Sequence, residues 1–277
     1  METLIIPGEV VQLSPRVRRL TAPNPGMMTG PGTNSYILGT SELTVIDPGP
    51  AIESHIAALI ALTQGRLGRI LTTHTHLDHS PAARALKAAT GAELLGMPPP
   101  PQANQDQDYR PDRVPQHGER VACGDFSLQV VHTPGHASNH LCYLLVEDQL
   151  LFTGDHVMQG STVVITPPDG DMGAYLRSLE GLDTLAMTAI APGHGHLIEH
   201  PHDEARRLIA HRLKREQKVV DGFAAKNPAT LDELVPVVYA DTPVKLHGAA
   251  RRSLYAHLLK LEAEQRVSRT DGCWRLL

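Results

Sequence analysis

With 277 residues, 41% of them hydrophobic, the chain can bury a substantial core, and its sequence contains no apolar run of about 18 residues that would predict a membrane span. Its three cysteines, Cys123, Cys142 and Cys273, are too few and too scattered for a disulfide framework, which predicts a cytoplasmic protein. The net charge of −5 is uneven, because residues 1–204 carry 11 Lys and Arg against 22 Asp and Glu, whereas residues 205–277 carry 14 against 8.

The first part of the chain alternates short apolar runs with helical patterns. The β-branched and aliphatic runs at 35–38 and 43–46 predict strands. Helices are predicted over 51–64 and 81–90, the second beginning with a proline and stopping at a glycine. Between them, a predicted strand at 69–73 runs directly into a cluster of histidines. That order places the cluster at the carboxyl end of a strand, where α/β proteins usually have their sites.

Further strands follow a polar connector. Residues 97–119 are rich in Pro, Gln and Asp and predict a surface loop or connector. The elements expected after it are strands at 126–132, 141–146, 149–152 and 189–191 and a short helix at 175–182. Two groups of strands with interleaved helices indicate two sheets sandwiched between helices.

The last quarter of the chain has a different pattern. Thr230 and Glu233 form a predicted capping box at the start of a helix. The elements expected here are helices over 203–225, 231–239 and 248–265 and a hairpin over 267–277 that turns at Asp271 and Gly272. Three helices and a hairpin resemble a winged helix. We therefore predict two domains, an α/β domain over 1–204 and a winged-helix-like domain over 205–277.

The strongest chemical pattern is THTHLDHS, in which His74, His76, Asp78 and His79 lie within six residues. On an extended segment, His74 and His76 point the same way and can hold one metal ion. The following turn directs Asp78 and His79 towards a second ion. Without a metal, such a cluster at a buried strand end would be costly. Imidazole and carboxylate ligands suit zinc, and they also accommodate iron or manganese.

Three more candidate ligands each follow a predicted strand. His136 lies in HTPGH, Asp155 in FTGDH and His194 in APGHG, each of them directly after a glycine. Strand ends of this kind can converge on one rim of a sheet. Together with the cluster, they supply enough ligands for two divalent metal ions.

The order of these motifs resembles the metallo-β-lactamase superfamily over roughly residues 15–200. The resemblance implies a four-layer αββα sandwich with a binuclear centre, in which Asp155 bridges the two ions. It assigns the remaining ligands as His74, His76 and His136 on the first metal and Asp78, His79 and His194 on the second. Asp47, in VIDPGP, matches the family's early aspartate, which supports the site without taking part in the chemistry.

Two metals in such a site supply a hydroxide at neutral pH and polarise the bond to be cleaved. Asp78 is the candidate catalytic residue, because it can orient the hydroxide and pass on its proton. No cysteine occupies a ligand position, so the chain resembles the glyoxalase II, ribonuclease Z and lactonase branches more than the true β-lactamases. The winged-helix-like tail makes it similar to lactamase-beta-2-like endoribonucleases, which implies single-stranded RNA or another phosphodiester as substrate.

Other functions compatible with the sequence stay open beside RNA cleavage. The same metal centre can hydrolyse a small acyl substrate, either a thioester or a lactone. A nucleic-acid-binding regulator that uses the sandwich as a sensor is an alternative from another class. The basic tail can contact phosphates, mediate a homodimer or cover the active site, and pairing of its basic residues with acidic ones explains its charge equally well.

Four residues near the motifs are candidates for contact with the substrate. Thr33 and Asn34 lie in GPGTNSY, which resembles a loop bordering the cleft in a subgroup of the superfamily, and the alternative is that they only shape a turn. Asn139 and His140 follow His136 closely and are expected to face the substrate.

Overall fold

The computed structural model describes residues 4–101 and 104–277, which form two compact units. The first unit runs up to residue 133 and also includes 139–161 and 185–201. The second unit comprises 134–138, 162–184 and 202–277. The tail predicted to resemble a winged helix therefore lies in the second unit, together with two segments from the middle of the chain.

Six strands form the first sheet of the first unit, in the order β1-β2-β3-β4-β5-β6. The strands are β1 (Val10–Ser14), β2 (Val17–Thr21), β3 (Asn34–Leu38), β4 (Leu43–Ile46), β5 (Leu67–Leu71) and β6 (Glu93–Leu95). Neighbours from β1 to β4 are antiparallel, whereas β4, β5 and β6 run parallel. The parallel strands bring their carboxyl ends to one edge of this sheet.

Five strands form the second sheet, in the order β11-β10-β9-β8-β7. They are β7 (Arg120–Cys123), β8 (Phe126–His132), β9 (Leu141–Leu145), β10 (Leu150–Gly154) and β11 (Ala189–Pro192). Strands β10 and β11 are parallel neighbours, so the residues that follow them leave the sheet side by side.

The core of the first unit lies on both sides of the first sheet. Between the two sheets, Tyr36 and Phe152 pack edge to face with ring centroids 4.9 Å apart, within a large apolar cluster from both sheets. On the other face, residues of β3, β4 and β5 pack against α1 (Glu53–Thr63) and α2 (Ala82–Thr90), through side chains such as Leu59 and Leu86. Burying both faces of a largely aliphatic sheet supplies most of this unit's hydrophobic stabilisation.

The second unit contains four helices and a small sheet. The helices are α3 (Met172–Gly181), α4 (Pro201–Gly222), α5 (Leu231–Val238) and α6 (His247–Ala263), and the sheet has the order β12 (Ala229–Thr230), β14 (Cys273–Leu276), β13 (Val267–Thr270). The predicted capping box is confirmed, with Thr230 and Glu233 satisfying each other's backbone N–H groups. The apolar core of the second unit includes Leu254, Leu258 and Trp274.

Most predicted elements are confirmed to within a few residues, including the two helices before residue 91 and the C-terminal hairpin. The prediction missed β1, β2, β6, β7 and β12. Strand β1 is largely exposed and β2 carries adjacent arginines, so neither shows the apolar alternation that marks a strand. None of the described helices is long and apolar enough to cross a membrane.

Candidate metal centre

Three strands of the first unit end at the candidate ligands. Strand β5 is followed after two residues by the segment 74–79, β10 by Asp155, and β11 by Gly193 and His194. A backbone hydrogen bond of 2.8 Å from Gly193 N to Gly154 O holds the last two strand ends together. The parallel pairing of β10 and β11 therefore places Asp155 beside His194.

Six of the seven predicted ligands lie in the first unit, and the structure brings them together. One ligand atom each of Asp78, His79 and His194 lies within 4.8 Å of the others, and the same distance limit holds for His74, His76 and Asp155. Asp155 also reaches the other set, since its Oδ1 lies 3.4 Å from His79 Nε2 and 3.3 Å from His194 Nε2. The carboxylate of Asp155 thus borders both sets.

The protons of three histidines are placed by their partners. The Nδ1 of His79 donates to Asp47 Oδ2 at 2.9 Å, and the Nδ1 of His194 donates to the carbonyl of Gly32 at 3.1 Å. The hydroxyl of Thr73 donates to Asp47 Oδ2, so its oxygen accepts from His74 Nδ1 at 3.0 Å. In the neutral form that binds a metal, each imidazole would therefore keep its proton on Nδ1 and offer the lone pair of Nε2.

The Nε2 atoms of two histidines indicate whether a cation fits between these ligands. The Nε2 atoms of His79 and His194 are buried and make no hydrogen bond to any described residue. Buried polar atoms of this kind are normally satisfied, and here they lie between 3.3 and 3.6 Å from carboxylate oxygens of Asp78 and Asp155. Because His and Asp donors of this kind match the preferences of divalent transition metals, the residues fit a metal ion.

The electrostatics of the two sets differ. Burial by itself lowers the pKa of a histidine, but the carboxylates of Asp78, Asp155 and Asp47 raise the pKa of His79 well above its usual value. In the same way Asp155 and Asp78 overcome burial and raise the pKa of His194 to about 9. By contrast, burial and the neighbouring histidines hold the pKa of His74 well below its usual value. The carboxylates therefore attract positive charge, which a bound cation would supply.

His136 belongs to the second unit. Its Nδ1 donates to the carbonyl of Val164 at 2.9 Å, within the same unit. This bond gives His136 the same proton placement as the histidines described above. Its assignment as a ligand of the first metal remains a prediction.

The four predicted substrate contacts are buried. Thr33 bonds twice to the side chain of Asn24, and the amide of Asn34 donates to the carbonyls of Pro192 and Gly195. Asn139 donates to Thr75 Oγ1 at 2.6 Å, and His140 stacks on His74 with ring centroids 5.0 Å apart. The contacts of Thr33 and Asn34 are those of residues that shape a turn beside His194. Substrate binding by all four remains a prediction.

Thr73 is a site residue that sequence reasoning did not single out. Its backbone N–H and its hydroxyl both donate to Asp47, at 2.7 and 2.8 Å, and its oxygen orients His74. The only available signal was its place between β5 and the cluster. Its role depends on Asp47, which lies 26 residues away and is brought close only by the pairing of β4 with β5.

Gly193 allows the ligands to approach one another. A Cβ at this position would lie 2.7 Å from Cε1 of His79 and 2.9 Å from Oδ1 of Asp155. Gly193→Ala is therefore expected to displace these side chains and to weaken zinc binding by about 10- to 100-fold, measured by competition with a chelating indicator. Gly248→Ala is the control, because its Cβ meets nothing within 4 Å. Equal zinc affinity in both variants would mean that this close approach is unimportant.

The comparisons with known proteins agree with this arrangement. The sequence profile of the "Metallo-beta-lactamase superfamily" matches residues 28–194, and that of the "Beta-lactamase associated winged helix domain" matches residues 230–274. A Beta-lactamase-like protein 2 homolog of Drosophila melanogaster is 31% identical over 95% of this chain and 93% of its own length. An atrochrysone carboxyl ACP thioesterase of Aspergillus fumigatus is 33% identical over 85% of this chain and 77% of its own length.

A solved structure supports the fold over the whole chain. The crystal structure of a beta-lactamase domain protein from Burkholderia ambifaria has a TM-score of 0.81 at 21% identity and covers 100% of this chain and 96% of that one. The predicted α/β sandwich with a C-terminal winged-helix domain is thereby confirmed.

Proposed function

The chain belongs to the metallo-β-lactamase superfamily, and on this basis we propose that it is a hydrolase working with two divalent metal ions. The observation that carries the proposal is the position of Asp155. Its carboxylate lies within 4.8 Å of the ligand atoms of His74 and His76 and within 3.4 Å of the Nε2 atoms of His79 and His194. A carboxylate that borders both sets of ligands would serve two ions held side by side.

The mechanism follows from these donors. His74, His76 and Asp155 would hold one ion, with His136 as a further predicted ligand, and Asp78, His79, His194 and Asp155 would hold the other. Ions bound there would supply a hydroxide and polarise the scissile carbonyl or phosphoryl oxygen. Zinc is the best match, while iron and manganese also suit these ligands.

We assign the transfer of the proton to Asp78. Its side chain is 27% exposed, whereas that of His79 is fully buried, so solvent can reach the Asp78 carboxylate. Although burial opposes its ionisation, His79 and His194 hold the pKa of Asp78 below its usual value. As a carboxylate, Asp78 would take up the proton that the water loses when the hydroxide forms, and would then pass this proton to the leaving group.

For the substrate, we favour an acyl thioester. Leu77, between the ligands His76 and Asp78, is 55% exposed, and Met27 and Met28 are 80% and 55% exposed. The methionines lie on the loop between β2 and β3, which also carries Gly32, whose carbonyl accepts from His194 Nδ1. Exposed methionines on a loop that also carries a hydrogen-bond partner of His194 are suited to an apolar chain of variable shape. The relative from Aspergillus fumigatus is named as a thioesterase, which supports the same choice.

A phosphodiester such as single-stranded RNA is the second candidate. It is favoured by the 14 basic residues of the segment 205–277. At least eight of them form ion pairs within the second unit, for example Arg215 and Lys218 with Asp241 at 2.8 and 2.7 Å. Pairing of this kind leaves fewer cations for phosphates, which is why we rank RNA second.

Parallel assays of the zinc-loaded protein separate the candidates. We expect turnover of octanoyl and acetyl thioesters and little cleavage of single-stranded RNA, bis-p-nitrophenyl phosphate or an acyl-homoserine lactone. Replacing both Met27 and Met28 by serine is expected to raise KM for the octanoyl thioester about tenfold and to spare the acetyl thioester. Val244→Ser, at another exposed apolar position, is the control.

Two other results of these assays would change the proposal. Cleavage of RNA with inert thioesters would reverse the ranking of the two substrates. Binding of duplex DNA without turnover of any of these substrates would favour the nucleic-acid-binding regulator.

A further inference from the structure

The polar connector is not a detached surface loop, because part of it lies against the metal-ligand segment. Asp106 N donates to Thr75 O at 2.6 Å, and the hydroxyl of Thr75 donates to Gln105 Oε1 at 2.6 Å. Gln105 also forms an isolated antiparallel bridge with His76. Residues 102 and 103 lie outside the described residues, but from residue 104 onwards the connector runs alongside the segment 74–76.

Buried groups fix this stretch of the connector in place. Thr75 and Gln105 are both buried, and Asn139 donates to the same Thr75 hydroxyl. Further along, the buried Tyr109 accepts from Thr72 Oγ1 at 2.7 Å and donates to Leu95 O at 3.0 Å. The side chain that precedes Gln105 is therefore presented to the site in a fixed register.

That side chain is Asn104, and it contacts His76. The Nδ2 atom of the Asn104 amide lies 2.9 Å from His76 Nε2, while His76 Nδ1 lies 2.9 Å from His74 Nε2. His76 thus points its Nδ1 into the cluster, whereas His74, His79 and His194 point their Nε2 inwards. Among these four histidines, His76 is the one whose outer nitrogen, Nε2, contacts an exposed side chain.

We propose that Asn104 is a positioning residue that orients His76 as a metal ligand. When His76 binds through Nδ1, its Nε2 carries the proton and needs an acceptor. The side-chain amide of Asn104 offers one if its oxygen faces the ring, and oxygen and nitrogen of an amide exchange places by a half rotation. An acceptor on the outer nitrogen fixes the ring and makes the ligand more basic.

Metal affinity tests this inference, which rests on the proposed metal centre. Zinc is titrated into the metal-free full chain in competition with a chelating indicator. Asn104→Ala is expected to bind zinc about 10- to 100-fold more weakly than the wild type. Asn104→Asp restores an acceptor and is expected to recover wild-type affinity, whereas Asn104→Leu, of similar size, is expected to behave like the alanine variant.

Gln107→Ala is the matched control, since Gln107 is an exposed amide of the same connector whose side chain bonds to Pro100 O. Circular dichroism establishes that each variant is folded. Equal zinc affinity in wild type, Asn104→Ala and Asn104→Leu would overturn the role of Asn104, and so would an aspartate variant as weak as the alanine one. A wild-type chain that binds no metal would instead overturn the proposed function itself.

Discussion

Asp155→Ala is expected to lower kcat/KM for the best substrate by about 1,000-fold or more, because the carboxylate borders both sets of ligands. Removing it takes away the group that would be shared by the two ions. It also removes the negative charge that balances His79 and His194 in a buried site. The measurement is steady-state kinetics with metal content determined on the same sample. We expect fewer than two ions per chain.

Two companion variants separate the chemistry from the packing. Asp155→Asn keeps the volume of the side chain and removes its charge, so it is expected to be nearly as inactive as the alanine variant. Asp125→Ala removes an exposed aspartate that pairs with Arg16 and is expected to retain activity. Asp78→Ala and His79→Ala are expected to be inactive as well. Full activity of metal-loaded Asp155→Ala would show that the site has been assigned wrongly.

Glu216→Ala is expected to destabilise the protein by about 3 kcal/mol, through the second unit rather than the metal centre. The carboxylate is buried and accepts from Lys260 Nζ at 2.7 Å and from Arg266 Nη1 at 2.9 Å. Its loss leaves a largely buried ammonium short of a counter-charge, although Lys260 keeps Glu264 at 2.7 Å. Chemical denaturation of the full chain measures the change in free energy of unfolding.

The contribution of Glu216 to stability is also expected to depend on pH. Burial raises its pKa, but His257 and Lys260 outweigh burial and lower the pKa to about 2 from a usual 4.5. A carboxyl group whose pKa falls on folding stabilises the fold above its unfolded value and loses that contribution as the pH drops. The difference in stability between wild type and Glu216→Gln should therefore shrink from pH 4.5 towards pH 2. Asp221→Ala, an exposed change on α4, should show little difference at any pH.

Local sequence patterns were enough to predict most of the elements. The strand over 69–73, the helix over 81–90 and the capping box at Thr230 depend on neighbours in the sequence, and the structure has β5, α2 and α5 at these places. The same reasoning placed His74, Asp155 and His194 at strand ends, because the residue types and their spacing are visible along the chain. The same reasoning did not predict the edge strand β1, because this strand is exposed on both faces and lacks the alternation of apolar and polar residues.

Ion pairs between distant residues could not be predicted from local sequence patterns. The sequence indicated a basic tail and left open whether it binds phosphates or pairs with acidic residues. Asp241 lies 26 residues after Arg215 and 23 after Lys218, and only the folding of the second unit brings the three side chains together. Ion pairs over such separations have no periodic trace in the sequence.

The sequence by itself determined the family, the main strands and helices and the candidate ligands, since these depend on residue identity and short-range periodicity. The tertiary structure decided how the ligands are held. Asp47 reaches Thr73 and His79, Gly32 reaches His194, and Asn104 reaches His76 across 28 residues. These partners come from separate loops, and a loop that reads as polar and irregular gives no sign of what it will lie against. Contacts between distant segments are set by the packing of the sheets that carry them, so the support of the site became visible only in the fold.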